Sequence, residues 1–161
     1  MSDPITANKF FFHDKEEFLY HDVKRVIGEV SGVYYVHATD INREFKPLPR
    51  LLDVDKNGIL YIGTAGKLHE RLGEVQKAIS VAYDRKQWTN SRHGLLDKMK
   101  RLPRFRDAFP YSTLCVTVRP LSPAIEGDPD TDRFDDHYAL ERRLLNDYRL
   151  WYGDYPVFNV Q

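Results

Sequence analysis

Two tyrosine-containing triplets most limit the folds that this chain can adopt. Gly32-Val33-Tyr34 begins a run of β-branched and aromatic residues that ends at His37, and this composition is typical of a β-strand. Tyr61-Ile62-Gly63 ends a second such run, which begins at Ile59 directly after the tight-turn pair Asn57-Gly58. Since a helical pattern follows the second triplet, we expect a strand that runs straight into a helix.

The spacing of apolar residues predicts the other elements. Helices are expected over residues 15–27, 67–83, 93–100 and 134–152. A third strand is expected over residues 111–119, with Leu114, Val116 and Val118 facing the core. The apolar stripes predicted for the first and last helices are Phe18, Leu19, Val23, Val26 and Ile27, and Leu140, Leu144, Tyr148 and Trp151. Asp14 is the expected N-cap of the first helix, and Gly153 is the expected stop of the last.

The length and composition limit the classes of protein to which this chain can belong. A chain of 161 residues with 42% hydrophobic and 30% charged residues fits one globular α+β domain. No apolar run approaches the roughly 20 residues that span a membrane, and the first residues do not resemble a secretory signal. Cys115, the one cysteine, excludes an intrachain disulfide and a zinc site built from cysteines. A cytoplasmic protein with no membrane partner is therefore expected.

The charge sums to zero but is unevenly distributed. Residues 85–106 carry eight basic side chains against Asp97, and residues 126–136 carry six acidic ones against Arg133. A polyanion responds to the local field rather than to the total charge. The basic block is therefore either a phosphate-binding surface or a solvated face that keeps the protein soluble.

Taken together, the triplets and three later residues resemble the GIY-YIG nuclease domain, with Val33 in place of the isoleucine of the first triplet. The later matches are Arg71 on the helix after the second triplet, Glu141 in Tyr138-Ala139-Leu140-Glu141, and Asn159 in Pro156-Val157-Phe158-Asn159. The resemblance spans Gly32 to Asn159. It implies a small central antiparallel sheet of about three strands flanked by helices, and hydrolysis of phosphodiester bonds.

The resemblance assigns roles to the two tyrosines and the arginine. Tyr34 is the candidate general base and Tyr61 assists it. Because free tyrosine has a pKa near ~10, that role needs a cation, metal-bound water or histidine nearby. Arg71 would bind two oxygens of the scissile phosphate. The alternatives are that the tyrosines are packing residues and that Arg71 forms an ion pair with Glu70, Glu74 or Glu141.

The resemblance also implies a metal ion and residues that support the site. Glu141 is the implied ligand of Mg²⁺ or Mn²⁺, completed by water and substrate; the alternative is an ion pair with Arg142 or Arg143. His137, one turn earlier, is a weaker second-ligand candidate. His93 ranks before Lys67 and His69 as the helper of the tyrosine. Asn159 would orient the site or is merely a C-terminal turn residue.

The chain departs from most of the family in two places. Residues 1–28 form an N-terminal extension of a single domain over residues 1–161, and residues 37–57 form an insertion between the motif strands. Such an insertion could contact DNA or be an inert surface loop. The residues predicted to bind nucleic acid are Lys67, Arg85, Lys86, Arg92, Lys98, Lys100, Arg101 and Arg104.

The expected function is a metal-dependent DNA endonuclease acting in restriction, repair or mobile-element processing. Two other classes fit the same sequence: a nucleic-acid-binding module without turnover, and an interaction domain that associates through its opposed charge blocks. A homodimer is expected if both strands of a palindromic site are cut.

Overall fold

A computed structural model describes residues 8–12, 19–85, 88–121 and 136–159. Its strands are β1 (Phe10–Phe11), β2 (Gly32–Ala38), β3 (Leu48–Pro49), β4 (Val54–Asp55), β5 (Ile59–Ala65) and β6 (Leu114–Pro120). Its helices are α1 (Leu19–Ile27), α2 (Leu68–Ala82), α3 (Gly94–Lys100), α4 (Phe105–Ala108) and α5 (His137–Tyr152), with a 3-10 turn at Tyr111–Thr113. The predictions for Asp14, Phe18, Lys86, Phe134 and the acidic residues 126–135 lie outside the described residues.

The main sheet has four antiparallel strands in the order β1-β6-β2-β5. The three strands predicted from the sequence are all present, and an α+β fold is confirmed. The expectation of about three strands was one too few, because Phe10 and Phe11 of the N-terminal extension pair with Val116 and Cys115 of β6. A pair of residues is too short for an alternating pattern to predict a strand.

Helices cover both faces of this sheet. Tyr34 and Val36 of β2 face a core shared with α1, α2 and α3, whereas Val33 and Tyr35 face a second core under α5. β6 is also covered on both sides: Leu114, Val116 and Val118 are buried as predicted, and Cys115 and Thr117 on the opposite side are equally buried. A strand inside a two-sided core has no solvent face to carry a polar pattern.

Two predicted core positions are also wrong. In α5, Tyr152 is buried beside Leu140 and Tyr148, whereas Trp151 is exposed. In α1, which packs against α2, Leu19 and Val23 are buried as predicted, whereas Val26 is exposed. Gly153 ends α5 with a positive φ of 77°, as the sequence predicted. No helix within the described ranges is long and apolar enough to cross a bilayer.

The insertion is shorter and more ordered than predicted. His37 and Ala38 belong to β2 rather than to a loop, and the antiparallel β3–β4 ribbon lies inside the remainder. Asp55 is fully buried and holds the turn that leads into β5, since its carboxylate accepts hydrogen bonds from the Asn57 and Ile59 amides and from the Tyr148 hydroxyl. The insertion is thereby attached to α5.

Acid should destabilise this fold. His37 is fully buried. Its Nδ1 lies 2.8 Å from the backbone oxygen of Asn57, and its Nε2 lies 2.8 Å from Oγ1 of Thr117. Burial lowers the pKa of His37 to about 4. The unfolded chain therefore binds a proton near pH 6.5, while the folded chain does so only near pH 4. We expect the free energy of unfolding to fall by roughly 3 kcal/mol as the pH drops through this window. Thermal unfolding against pH would check this, and His37→Gln should show a weaker dependence.

Candidate active site

Strand pairing brings the two motif tyrosines together. Tyr34 of β2 pairs with Gly63 of β5, and Val36 pairs with Tyr61, so the two tyrosines lie on one face of adjacent strands. Their ring centroids are 6.0 Å apart. Tyr34 is only 1% exposed, whereas Tyr61 is half-buried. Tyr61 is therefore the outer residue of the pair, and Tyr34 lies behind it.

Steric contacts explain why both triplets contain glycine. A methyl group at Gly63 would overlap the Tyr34 hydroxyl and crowd the Tyr61 ring, so only glycine lets Tyr34 lie across β5. A methyl group at Gly32 would overlap the backbone oxygen of Arg119 on β6. Both glycines therefore permit the close strand packing that places the tyrosines.

His93 lies against both tyrosines, and its ring centroid is 6.2 Å from that of Tyr61. Its Nε2 lies 3.0 Å from the Tyr34 hydroxyl, and its Nδ1 accepts a hydrogen bond of 3.1 Å from the Leu95 amide at the start of α3. The imidazole is 7% exposed, and burial together with the charge of Arg71 lowers its pKa to about 4. The histidine beside Tyr34 is therefore neutral at physiological pH.

The tyrosines titrate in a buried, charged environment. Burial raises the pKa of Tyr34 well above that of free tyrosine; Tyr61 and Glu141 raise it further, and Arg71 lowers it. Burial also raises the pKa of Tyr61, again with Glu141 acting to raise it and Arg71 to lower it. Both hydroxyls thus lie within electrostatic range of the same cation and the same carboxylate.

Arg71 is exposed on the first turns of α2, and the acidic side chains next to it pair with lysines rather than with its guanidinium. The two carboxylates nearest in sequence are occupied: Glu70 pairs with Lys67 at 3.1 Å and Glu74 with Lys77 at 3.0 Å. Within the described ranges, the Arg71 guanidinium forms no ion pair or hydrogen bond. An arginine so placed can bind an anionic ligand without first breaking an internal pair.

Glu141 lies on α5, which packs against the face of the sheet opposite the tyrosines, and its charge acts on both of them. α5 packs under β5 and β2, and because β5 is an edge strand, a side chain of α5 can reach around it. Burial raises the pKa of Glu141, while Arg142, Arg71 and Lys98 lower it. Across the described part of the chain, the Glu141 carboxylate has no hydrogen bond or ion pair, and Arg143 pairs instead with Asp147.

These residues fit a loosely held magnesium ion. The half-buried Glu141 carboxylate, whose charge acts on both tyrosines, would supply one hard oxygen ligand. Mg²⁺ commonly keeps several waters and binds through one or two carboxylates plus substrate phosphate. A cage of three or more His, Cys, Asp or Glu side chains is absent from the described residues. The ring of His137, the weaker second-ligand candidate, lies against Tyr138 and beside Gly66.

A cavity of about 550 Å³ opens beside this site. It lies between α2 and the segment that leads into α3, and Arg71 and His93 form the wall nearest the tyrosines. Its other lining residues are Glu74, Lys77, Asn90, Ser91 and Arg92. The lining carries three cationic side chains against one carboxylate, which suits an anionic ligand. We refer to it below as the α2–α3 groove.

Asn159 has a structural position next to the site. Its Oδ1 accepts from the Ile62 amide at 2.8 Å and its Nδ2 donates to the Ile62 carbonyl at 2.7 Å. The side chain thus pairs with the outer edge of β5 as another strand would. It fixes the backbone next to Tyr61, so it acts on the site through β5.

The other predicted residues divide into two groups. Arg92 lines the α2–α3 groove, and Lys98 lies over the Tyr61 ring with Nζ 5.7 Å from its centroid. The remaining basic residues lie elsewhere or are paired: Lys67 with Glu70, Arg85 over Tyr111, and Lys100, Arg101 and Arg104 exposed on and after α3. His69 is buried against Tyr20 between α1 and α2, so neither it nor Lys67 is the helper of the tyrosines.

Sequence reasoning missed Ser91 as part of the site, and it predicted Lys98 only as a nucleic-acid-binding residue and not as a neighbour of Tyr61. Ser91 accepts from the His93 amide at 3.2 Å and donates to the Glu74 carbonyl at 3.5 Å, which attaches the histidine to α2. A serine two residues before a histidine at a helix start is a usable sequence signal for such a turn. Lys98 was grouped with the basic block, and its position over Tyr61 follows only from the packing of α3.

Comparisons with protein-family models, with curated proteins and with solved structures found no match to this chain. The arrangement of side chains must therefore carry the functional argument.

Proposed function

We propose that this protein is a metal-dependent endonuclease that hydrolyses phosphodiester bonds of DNA. The observation that carries the proposal is that Tyr34 and Tyr61 lie side by side and that both are within electrostatic range of Arg71 and Glu141, which are distant in sequence, beside a groove lined by Arg71 and His93. Tyrosine hydroxyls, an unpaired arginine and a half-buried carboxylate are groups that orient water, bind phosphate and hold a hard cation. The resemblance to GIY-YIG nucleases assigns the same residues, and the antiparallel sheet is compatible with that fold.

The proposed mechanism assigns one task to each side chain. Tyr61, the less buried hydroxyl, contacts the attacking water and, in its deprotonated form, accepts the proton that the water loses. Tyr34 then assists by donating a hydrogen bond to the Tyr61 oxygen, which exchanges the roles of base and assistant that the resemblance implies. Arg71 binds two oxygens of the scissile phosphate and stabilises the charge that develops on them. Glu141 would hold the magnesium ion. When bound, that ion would lower the pKa of water and neutralise charge on the phosphate.

The α2–α3 groove gives the substrate backbone a path away from the reacting phosphate. Arg71 and Arg92 are both exposed along it, with Lys77 partly exposed between them. A nucleic-acid strand bound at Arg71 would therefore place a neighbouring phosphate near Arg92. Arg92 is therefore assigned to binding of the DNA backbone rather than to hydrolysis of the scissile phosphate.

Arg92→Ala should weaken DNA binding without abolishing cleavage. Each phosphate contact releases about one counterion from the DNA when the protein binds. Without the Arg92 contact, the slope of log affinity against log salt concentration should therefore fall in magnitude by about 0.9. The affinity loss should be similar for different DNA sequences. Fluorescence anisotropy across a salt series would measure both, with Arg25→Ala, an exposed arginine paired with Asp22 on α1, as the control for charge alone.

A plasmid assay distinguishes the enzyme from a binding module. Wild-type protein incubated with supercoiled plasmid and Mg²⁺ or Mn²⁺ should produce nicked or linear DNA, and EDTA should prevent this. Salt-dependent binding with no cleavage in either metal would instead establish a module without turnover. Weak binding combined with concentration-dependent oligomers would favour an interaction domain.

A further inference from the structure

We propose that His93 is a positioning residue that donates a hydrogen bond from Nε2–H to the Tyr34 hydroxyl, and is not the base that removes the tyrosine proton. A histidine beside a catalytic hydroxyl is usually expected to accept the hydroxyl proton, whereas here the imidazole is the hydrogen-bond donor. The tautomer follows from the packing of α3, whereas its catalytic meaning rests on the proposed nuclease function.

The helix start decides which ring nitrogen carries the proton. The Leu95 backbone N–H points at Nδ1 of His93 at 3.1 Å, and a backbone amide can only donate. Nδ1 must therefore accept, so it carries no hydrogen. A neutral imidazole has one N–H, which is then on Nε2. That atom lies 3.0 Å from the Tyr34 hydroxyl oxygen, and so the imidazole donates to it.

The surroundings oppose a second proton on the ring. A charged imidazolium would place an N–H at Nδ1 against the Leu95 N–H and would break the cap of α3. The imidazole is buried, and the positive charges of Arg71 and Lys98 act on it against the single opposing charge of Glu74. His93 can therefore accept a proton from Tyr34 only by giving up its place at the start of the helix.

The hydrogen bond from His93 limits the direction in which the Tyr34 hydroxyl can donate. Because the hydroxyl oxygen receives a hydrogen bond from His93, its own hydrogen must point elsewhere. The Tyr61 ring lies next to Tyr34, with the two ring centroids 6.0 Å apart, so Tyr61 is a neighbouring group toward which that hydrogen can turn. The hydrogen bond therefore runs from His93, which lines the groove, to Tyr34, and the Tyr34 hydroxyl is left to donate to a further acceptor such as the Tyr61 hydroxyl.

Two amide substitutions separate the two roles of the imidazole. The oxygen of an asparagine side chain can take the place of Nδ1, since asparagine is a good N-cap, but it cannot reach Tyr34. A glutamine amide can reach Tyr34 and donate to it, and it has no titratable proton. We expect His93→Asn to keep the thermal midpoint but to cut plasmid cleavage roughly tenfold or more. We expect His93→Gln to lower the midpoint and to keep most of the cleavage.

Nuclear magnetic resonance tests the tautomer without reference to activity. Long-range proton–nitrogen spectra of histidine-labelled wild type at neutral pH should show the Nε2–H form for the signal that disappears in His93→Asn. An Nδ1–H form or an imidazolium would overturn the proposal. So would a folded His93→Gln variant as inactive as His93→Asn, because a base cannot be replaced by an amide. An inactive wild type with the Nε2–H form would reject the nuclease function and leave the assignment of His93 as the Tyr34 donor supported.

Discussion

Replacing Arg71 with alanine should reduce DNA cleavage by about 10³-fold or more while the protein remains folded. A single group that stabilises transition-state charge contributes about 10²–10³ in rate, and an arginine on a transferring phosphoryl group contributes about 10³–10⁵. Arg71 is exposed and has no internal partner in the described residues, so its removal should leave the thermal midpoint nearly unchanged. Single-turnover cleavage of plasmid with saturating Mg²⁺ is the measurement.

Two controls make the Arg71 result specific. Arg71→Lys keeps the charge but loses the planar fork that binds two oxygens, so it should recover only part of the activity. Arg25→Ala removes an equally exposed positive charge from α1 and should cleave at the wild-type rate. If Arg71→Ala cleaves as fast as Arg25→Ala, Arg71 does not bind the scissile phosphate.

Glu141→Gln should abolish metal-dependent cleavage, with an expected loss of about 10³-fold. The amide keeps the shape of the side chain but not its charge, and a neutral oxygen is a poor ligand for a hard divalent cation. Burial raises the pKa of Glu141 in the folded protein, so the variant should be as stable as the wild type or slightly more stable. The rate of cleavage across a Mg²⁺ titration would measure the loss and any shift in metal requirement.

A surface glutamate provides the comparison for Glu141. Glu44 is exposed and pairs with Lys9, so Glu44→Gln should leave cleavage and its Mg²⁺ dependence unchanged. Wild-type metal dependence in Glu141→Gln would mean that the metal is held elsewhere, and the role assigned to this carboxylate would then be rejected.

The elements that position the site could be predicted because their signals are local. β2 and β5 are runs of β-branched and aromatic residues, and α2 repeats its apolar residues at helical spacing. The availability of Arg71 could also have been found in the sequence. Lys67 with Glu70 and Glu74 with Lys77 are spaced three residues apart on one helix, which predicts the two ion pairs that leave Arg71 without a partner.

Features that depend on distant contacts could not be predicted in this way. Phe10 and Phe11 form a strand only because β6 offers a partner, and Tyr152 replaces Trp151 in the core because of how α5 lies under the sheet. The order of the tyrosines, with Tyr34 inside and Tyr61 outside, reflects the position of α3 against β2 and β5. The role of Asn159 likewise requires the C-terminal segment to meet β5.

The most direct test of the proposed phosphodiester hydrolysis follows the oxygen atom of the attacking water. Plasmid would be incubated with wild-type protein and Mg²⁺ in water carrying a heavy oxygen isotope, and the terminal phosphates of the products would be analysed by mass spectrometry. The proposal predicts one labelled oxygen atom in the phosphate at each new strand end, and almost no such ends with Arg71→Ala. An absence of new ends, or new ends without the label, would contradict it.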